Sequence, residues 1–182
     1  MIPGFDASTD ALPCGRFPAT IAEVHGALVE PFGTASSRQE IWSEWIDATA
    51  VLRQHVPVAV AWIGGSFTTT KPAPADIDVV YWVEDSQLVE ARDSPESARV
   101  LQLFSMPGVL KSHGLRVDAY VVPWVSNPTA APRDANDVAY CQERGYWDDL
   151  WLRQRAGTKG ASPVRLDSIP RRGYLEVTLD GY

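Results

Sequence analysis

Two apolar runs limit what this chain can become: Pro57-Val58-Ala59-Val60-Ala61-Trp62-Ile63, and the strand-like segment Asp76 to Val83. Alternate side chains of a strand point to opposite faces. In the second run Asp76, Asp78, Val80 and Trp82 share one face; Ile77, Val79, Tyr81 and Val83 share the other. Beyond its two aspartates this strand is apolar on both sides, so it belongs inside a sheet covered on both faces. Gly64-Gly65-Ser66 closes the first run. A polar, Pro-containing loop over 68–75 leads to the second.

The flanking sequence supplies covers for such a sheet. Ala19 to Val29 reads as a short helix ended by Pro31 and Gly33. Ser37, with Glu40 at capping-box spacing, starts a second helix, and Ile41, Trp45, Ala48 and Leu52 form its apolar stripe. Pro57 ends it. Ser94-Pro95-Glu96 begins another helix, with Val100, Leu101 and Phe104 turned to the sheet. Leu115 to Val122 reads as a third strand and Pro123 to Pro132 as a loop. Asp134 or Asn136 caps an aromatic-rich helix running to about Ala156, Gly157 to Pro163 is a connector, and Gly173 to Leu179 is a fourth strand. Residues 1–16 read as irregular. The expected fold is α/β, with a mixed β-sheet flanked by helices rather than a doubly wound Rossmann arrangement. A chain of 182 residues, 45% apolar, suits one domain over 1–182. Its core spans roughly 36–125, with N- and C-terminal extensions.

Composition narrows the chemistry. A net charge of −7 argues against a broad electropositive surface for duplex DNA, though not against a small basic groove. Cys14 and Cys141 are isolated, and His25, His55 and His113 are scattered, so a zinc site is not expected. The first residues lack the regions of a secretion signal, and no apolar run nears the ~18 residues of a membrane span. The expectation is a cytoplasmic protein with reduced thiols and no membrane partner. The seven tryptophans serve packing or line a base-binding cleft.

Asp76 and Asp78 project together beside a turn with free backbone N–H groups, a pattern suited to a divalent metal holding a polyphosphate. Clustered carboxylates repel, and a cation removes that penalty. Asp118 stands inside Val117-Asp118-Ala119-Tyr120, where an unpaired aspartate would cost several kcal/mol or protonate. It either pairs with Arg116 or joins the metals and accepts the proton of an attacking hydroxyl. Gly65 and Ser66 either donate to phosphate oxygens or only make a tight turn. Lys71 either neutralises a triphosphate or is a solvated loop lysine. Arg153, Arg155, Arg171 and Arg172 bind a phosphate or an RNA end, or do nothing specific. A P-loop is excluded because the Gly-Lys-Ser/Thr ending is missing. A hydrolase elbow at Ser66 is excluded because Thr68 occupies the last glycine position.

The Gly65-Ser66 turn, the Asp76/Asp78 pair and Asp118 on a later strand together resemble the nucleotidyltransferase domain of the DNA polymerase beta superfamily. The resemblance covers about 57–122. The outer segments, Leu12 to Phe17 and Trp151 to Gly173 with a closing strand, look like a group of small, poorly characterised bacterial and phage proteins of that kind. It implies a polymerase-beta-like fold and two Mg2+ (or Mn2+) ions on Asp76, Asp78 and Asp118. It also implies an NTP such as ATP as substrate, its triphosphate meeting Gly65 and Ser66. The acceptor hydroxyl would lie on a protein, an RNA 3′ end or a small molecule, in some such proteins within a toxin–antitoxin or phage-defence setting. The alternative is a catalytically silent module of the same fold that neutralises a partner protein.

Overall fold

The computed structural model describes residues 1–126, 129, 131–158 and 160–181. In these residues five strands and six α-helices form a mixed α/β fold. The strands are β1 (Gly15–Ala19), β2 (Val60–Gly64), β3 (Ile77–Glu84), β4 (Val117–Trp124) and β5 (Gly173–Thr178). The helices are α1 (Ile21–Leu28), α2 (Arg38–His55), α3 (Asp85–Asp93), α4 (Pro95–Ser105), α5 (Val109–Ser112) and α6 (Ala135–Leu152). Sheet order is β1-β5-β2-β3-β4. β1 runs parallel to β5 and β3 parallel to β4, while β2 is antiparallel to both its neighbours.

The expected both-sided burial of β3 is observed. Ile77, Val79, Tyr81 and Val83 enter one core cluster with Ile41, Trp45 and Leu52 of α2 and Leu101 and Phe104 of α4. Val80 and Trp82 enter a second with Trp62, Tyr174 and the α6 residues Trp147 and Trp151. Thus α1 to α5 cover one face and α6 alone covers the other. Six of the seven tryptophans are buried in these clusters, so they pack rather than line an open cleft.

Several expectations are corrected. The segment expected to be irregular up to residue 16 contains the start of β1, which pairs with β5 from Gly15↔Gly173 onward. Gly and Pro hide it, and Pro18 is tolerated because β1 is an edge strand. β5 therefore lies inside the sheet between β1 and β2. β4 continues through Pro123 to Trp124, again at a sheet edge, where the sequence suggested a loop. Asn127, Pro128 and Ala130 of that loop, and Lys159 of the expected connector, lie outside the described residues. Helices α3 and α5 were not foreseen. The Ser37–Glu40 capping box does not form: Ser37 Oγ donates to the Pro74 carbonyl (3.0 Å), and Glu40 accepts from Arg116 (2.9 Å). The capping box that does form is Thr20 with Glu23 at the start of α1.

Candidate metal centre

Asp78 and Asp118 are each the second residue of parallel strands and lie directly opposite one another in the β3–β4 register. In-register residues on neighbouring strands project to the same face. Asp76 precedes β3, where the Ile77 amide donates to the Arg116 carbonyl (2.9 Å) and fixes the entry to both strands. Oxygens of Asp76, Asp78 and Asp118 lie within 4.8 Å of one another.

Gly64, the last residue of β2, pairs with Asp78 on the other side. A Cβ on Gly64 would meet the Trp151 ring at 2.5 Å, so α6 settles directly on the sheet there. Gly65 follows in the left-handed region (φ +67°), and a Cβ on it would overlap the Asp78 carboxylate. Glycine is thus required twice over at Gly65, by backbone angle and by the carboxylate beneath it. Gly65 and Ser66 open a 3-10 turn (Gly65–Thr68), whose first N–H groups have no acceptor within the turn. The Ser66 hydroxyl has no hydrogen-bond partner among the described residues, while its carbonyl accepts from Thr69 (2.7 Å).

The charges are unequally compensated. Burial, then the charges of Asp76 and Asp118, push the Asp78 carboxyl up to about 6. Lys111 Nζ bridges the other two carboxylates, at 2.7 Å from Asp76 and 2.8 Å from Asp118. Burial opposes its charge, but these two partners hold its pKa above the ordinary lysine range. The Gly108 amide approaches Asp118 at 3.4 Å. Arg172 donates to the Trp151 carbonyl (3.0 Å) and the Gly65 carbonyl (3.3 Å), and its charge favours ionised Asp78. Burial raises the Tyr120 phenol, and the Asp118 and Asp78 charges raise it further.

Of the residues singled out by sequence, Asp76, Asp78, Asp118, Gly65 and Ser66 are brought to one place. Lys71 is not tied to it: its side chain is exposed and pairs with none of the three carboxylates. The pairing of Asp118 with Arg116 is overturned. Arg116 instead holds Glu44 and Glu40 of α2, and Asp118 holds Lys111. Among the arginines, Arg172 is no idle surface group, whereas Arg153 is spent on Asp149. Lys111 was missed because α5 is one turn long and has no periodic signal. Arg38 was missed because nothing in its neighbourhood announces a buried cation. It is fully buried and donates to the carbonyls of Leu28 (2.9 Å), Phe67 (2.7 Å), Thr69 (2.7 Å) and Lys71 (2.8 and 3.2 Å). It thereby ties the loop after the Gly65–Ser66 turn to α2.

Fold and site together define a mixed α/β protein with a three-carboxylate cluster at one end of its sheet, roofed by α6. The chain belongs to DUF6932, a family of unknown function, whose profile matches residues 3–178. No curated protein and no solved structure matches it. Among the described residues no helix is long and apolar enough to cross a membrane.

Proposed function

We propose that this chain is a metal-dependent nucleotidyltransferase of polymerase-beta-like fold, moving a nucleoside monophosphate from an NTP to an acceptor hydroxyl and releasing pyrophosphate. The observation that carries this reading is the convergence of oxygens of Asp76, Asp78 and Asp118 within 4.8 Å, with Asp78 directly against Gly65 of the turn. Three carboxylates are a hard oxygen donor set that suits Mg2+ or Mn2+. The raised Asp78 pKa marks a cluster short of positive charge, which fits the same ligand. Asp76 and Asp78 would hold two ions, and Asp118 the one beside the acceptor. Bound there, the metals would offset charge on the attacking and leaving oxygens.

The chain's own groups account for binding and proton movement. Gly65 and Ser66 N–H groups, with the Ser66 hydroxyl, would donate to phosphate oxygens, and the missing Gly65 side chain would let a phosphate approach. Arg172 holds the Gly65 carbonyl and so the turn. Asp118 would take the acceptor hydroxyl's proton. The net charge of −7 favours a protein or small-molecule acceptor over nucleic acid. The test is incubation with labelled NTPs, Mg2+ or Mn2+ and a cell lysate. Label should enter protein, RNA or a small molecule, and Asp78→Asn should abolish it. Near-normal transfer by Asp78→Asn would overturn the assignment.

One observation favours the second reading, a silent module that binds a partner protein: the Lys111 ammonium pairs with two of the three carboxylates and offsets part of their charge without any ion. An enzyme should gain thermal stability from NTP with Mg2+ or Mn2+ and little from NTP in EDTA. No shift with any NTP at millimolar concentration would leave the silent module.

A further inference from the structure

The position of Lys111 is not explained by holding the fold together. α5 is anchored by Leu110, which is buried in the core, and its C-terminal end is closed by backbone bonds from His113 to Val109 and Leu110. The segment is bounded by Gly108 (φ +73°) and Gly114 (φ +86°). The Lys111 ammonium, by contrast, sits at the edge of the cluster with about a third of its side chain exposed. It touches Asp76 and Asp118 and nothing else at ion-pair distance among the described residues. Asp78, which lies against Gly65, makes no ion pair among the described residues.

A lysine ammonium is a compact point charge on a flexible stem with three donors. It occupies the space between two carboxylates that a divalent cation bridging them would take. We propose that Lys111 is an internal counter-ion that competes with the divalent cation for Asp76 and Asp118, and must leave them before the metal-loaded site forms. The proposal rests on the metal-site reading above and names how that site is regulated. Three features support it. The lysine bridges Asp76 and Asp118 and makes no ion pair with Asp78 among the described residues. Its side chain is about a third exposed, so it has a path to solvent. Its helix is pinned through the neighbouring Leu110, so the side chain can swing away without moving α5. Metal affinity is then reduced by the fraction of molecules in which the lysine is seated, since apparent affinity scales with the competent population.

The test is direct binding of Mn2+, read by loss of the free-ion EPR signal, to the full chain and to Lys111→Met and Lys111→Arg. Methionine keeps the stem and deletes the charge. If the lysine is seated in about nine of ten molecules, Lys111→Met should bind Mn2+ about tenfold more tightly, and Lys111→Arg should not. In EDTA, Lys111→Met should melt below the wild type, and saturating Mn2+ should close that gap. Mass-spectrometric lysine labelling of the unmodified protein gives a readout that needs no variant: Lys111 should become more reactive on adding Mn2+, while exposed Lys71 stays constant. Equal Mn2+ affinity for wild type and Lys111→Met, or Mn2+-independent labelling of Lys111, overturns the competition alone. No Mn2+ binding by either protein overturns the metal site itself and the proposal with it.

Discussion

The chain buries charge in two places on either side of the same turn, and treats them oppositely. Arg38 is fully buried with no carboxylate at ion-pair distance among the described residues, yet all five of its N–H donors end on backbone carbonyls. Burial pulls its pKa down only to about 10, so it stays charged. The carboxylate cluster has the opposite character. Three like charges meet, one lysine compensates two of them, and Asp78 is left high. A buried charge whose hydrogen-bonding capacity is complete serves structure. A half-buried cluster left short of counter-charge is where a ligand is wanted. The segment 65–71 spans the two, pinned by Arg38 at Phe67, Thr69 and Lys71 and resting on Asp78 at Gly65.

The sharpest way to break this contrast is to delete the satisfied charge. Arg38→Met strands the buried carbonyls of Leu28 and Phe67 and unties the half-buried ones of Thr69 and Lys71. Unpaired buried groups each cost about 1–3 kcal/mol, so the two together should cost roughly 4 kcal/mol, enough to lower Tm by about 10 °C. Arg38→Lys should not rescue it, since three donors cannot serve the same carbonyls. A melting temperature within a few degrees of wild type would end the claim that Arg38 holds the loop.

Next in size is the contact between the turn and the cluster. Gly65→Ala combines a left-handed backbone angle with overlap on the Asp78 carboxylate. The two costs are about 1–2 and about 1–3 kcal/mol, so roughly 3 kcal/mol should be lost in urea unfolding. Adding Asp78→Ala should return most of the overlap part and leave the backbone part. Strict additivity of the two changes would show that Gly65 is not resting on Asp78.

Removing the uncompensated charge itself should act in the other direction. With a folded pKa of about 6 against an ordinary 3.8, Asp78 binds its proton more tightly in the folded state. That contribution is fully present below about pH 4 and is lost as pH rises through about 6. In EDTA the wild type should therefore lose roughly 2 kcal/mol across this window, and Asp78→Asn should lack that slope and match or exceed wild-type stability at pH 7. Thermal melts at a series of pH values check this. An unchanged slope in Asp78→Asn would place the charge imbalance elsewhere.

The unequal legibility of these two places has a physical cause. Asp76, Asp78 and Asp118 stood out because charges interrupt strands that are otherwise apolar on both faces, and the Gly64-Gly65-Ser66 turn sits at the end of such a strand. Sheet faces and the α2 stripe followed from periods of 2 and 3.6. Arg38 gave no such signal: one arginine at a helix start looks solvated, and its acceptors are main-chain carbonyls, which no side-chain pattern encodes. Lys111 reaches the cluster by tertiary placement of a one-turn helix. β1 was obscured by Gly15 and Pro18, and its pairing with β5 joins residues far apart in sequence. The Ser37–Glu40 spacing was correct for a capping box, but Pro74 and Arg116 offered both side chains tertiary partners.

The smallest effect concerns Lys71, the cation that sequence placed beside the phosphates. Its carbonyl is bound by Arg38, while its side chain is exposed and makes no ion pair among the described residues. Lys71→Ala preserves the carbonyl and should change stability by less than about 0.5 kcal/mol, in contrast to Lys111→Met in EDTA. If the proposed nucleotide site is right, its exposed ammonium would lie a few residues along the chain from the bound triphosphate. A screened surface charge pair is worth up to about 1 kcal/mol, so Lys71→Ala should weaken NTP binding in the presence of Mn2+ by up to about fivefold. Calorimetric titration of NTP into the Mn2+-loaded protein measures this. Unchanged affinity would assign Lys71 to the solvated loop and leave the turn's own N–H groups, with Arg172 behind them, as the protein's contribution to phosphate binding.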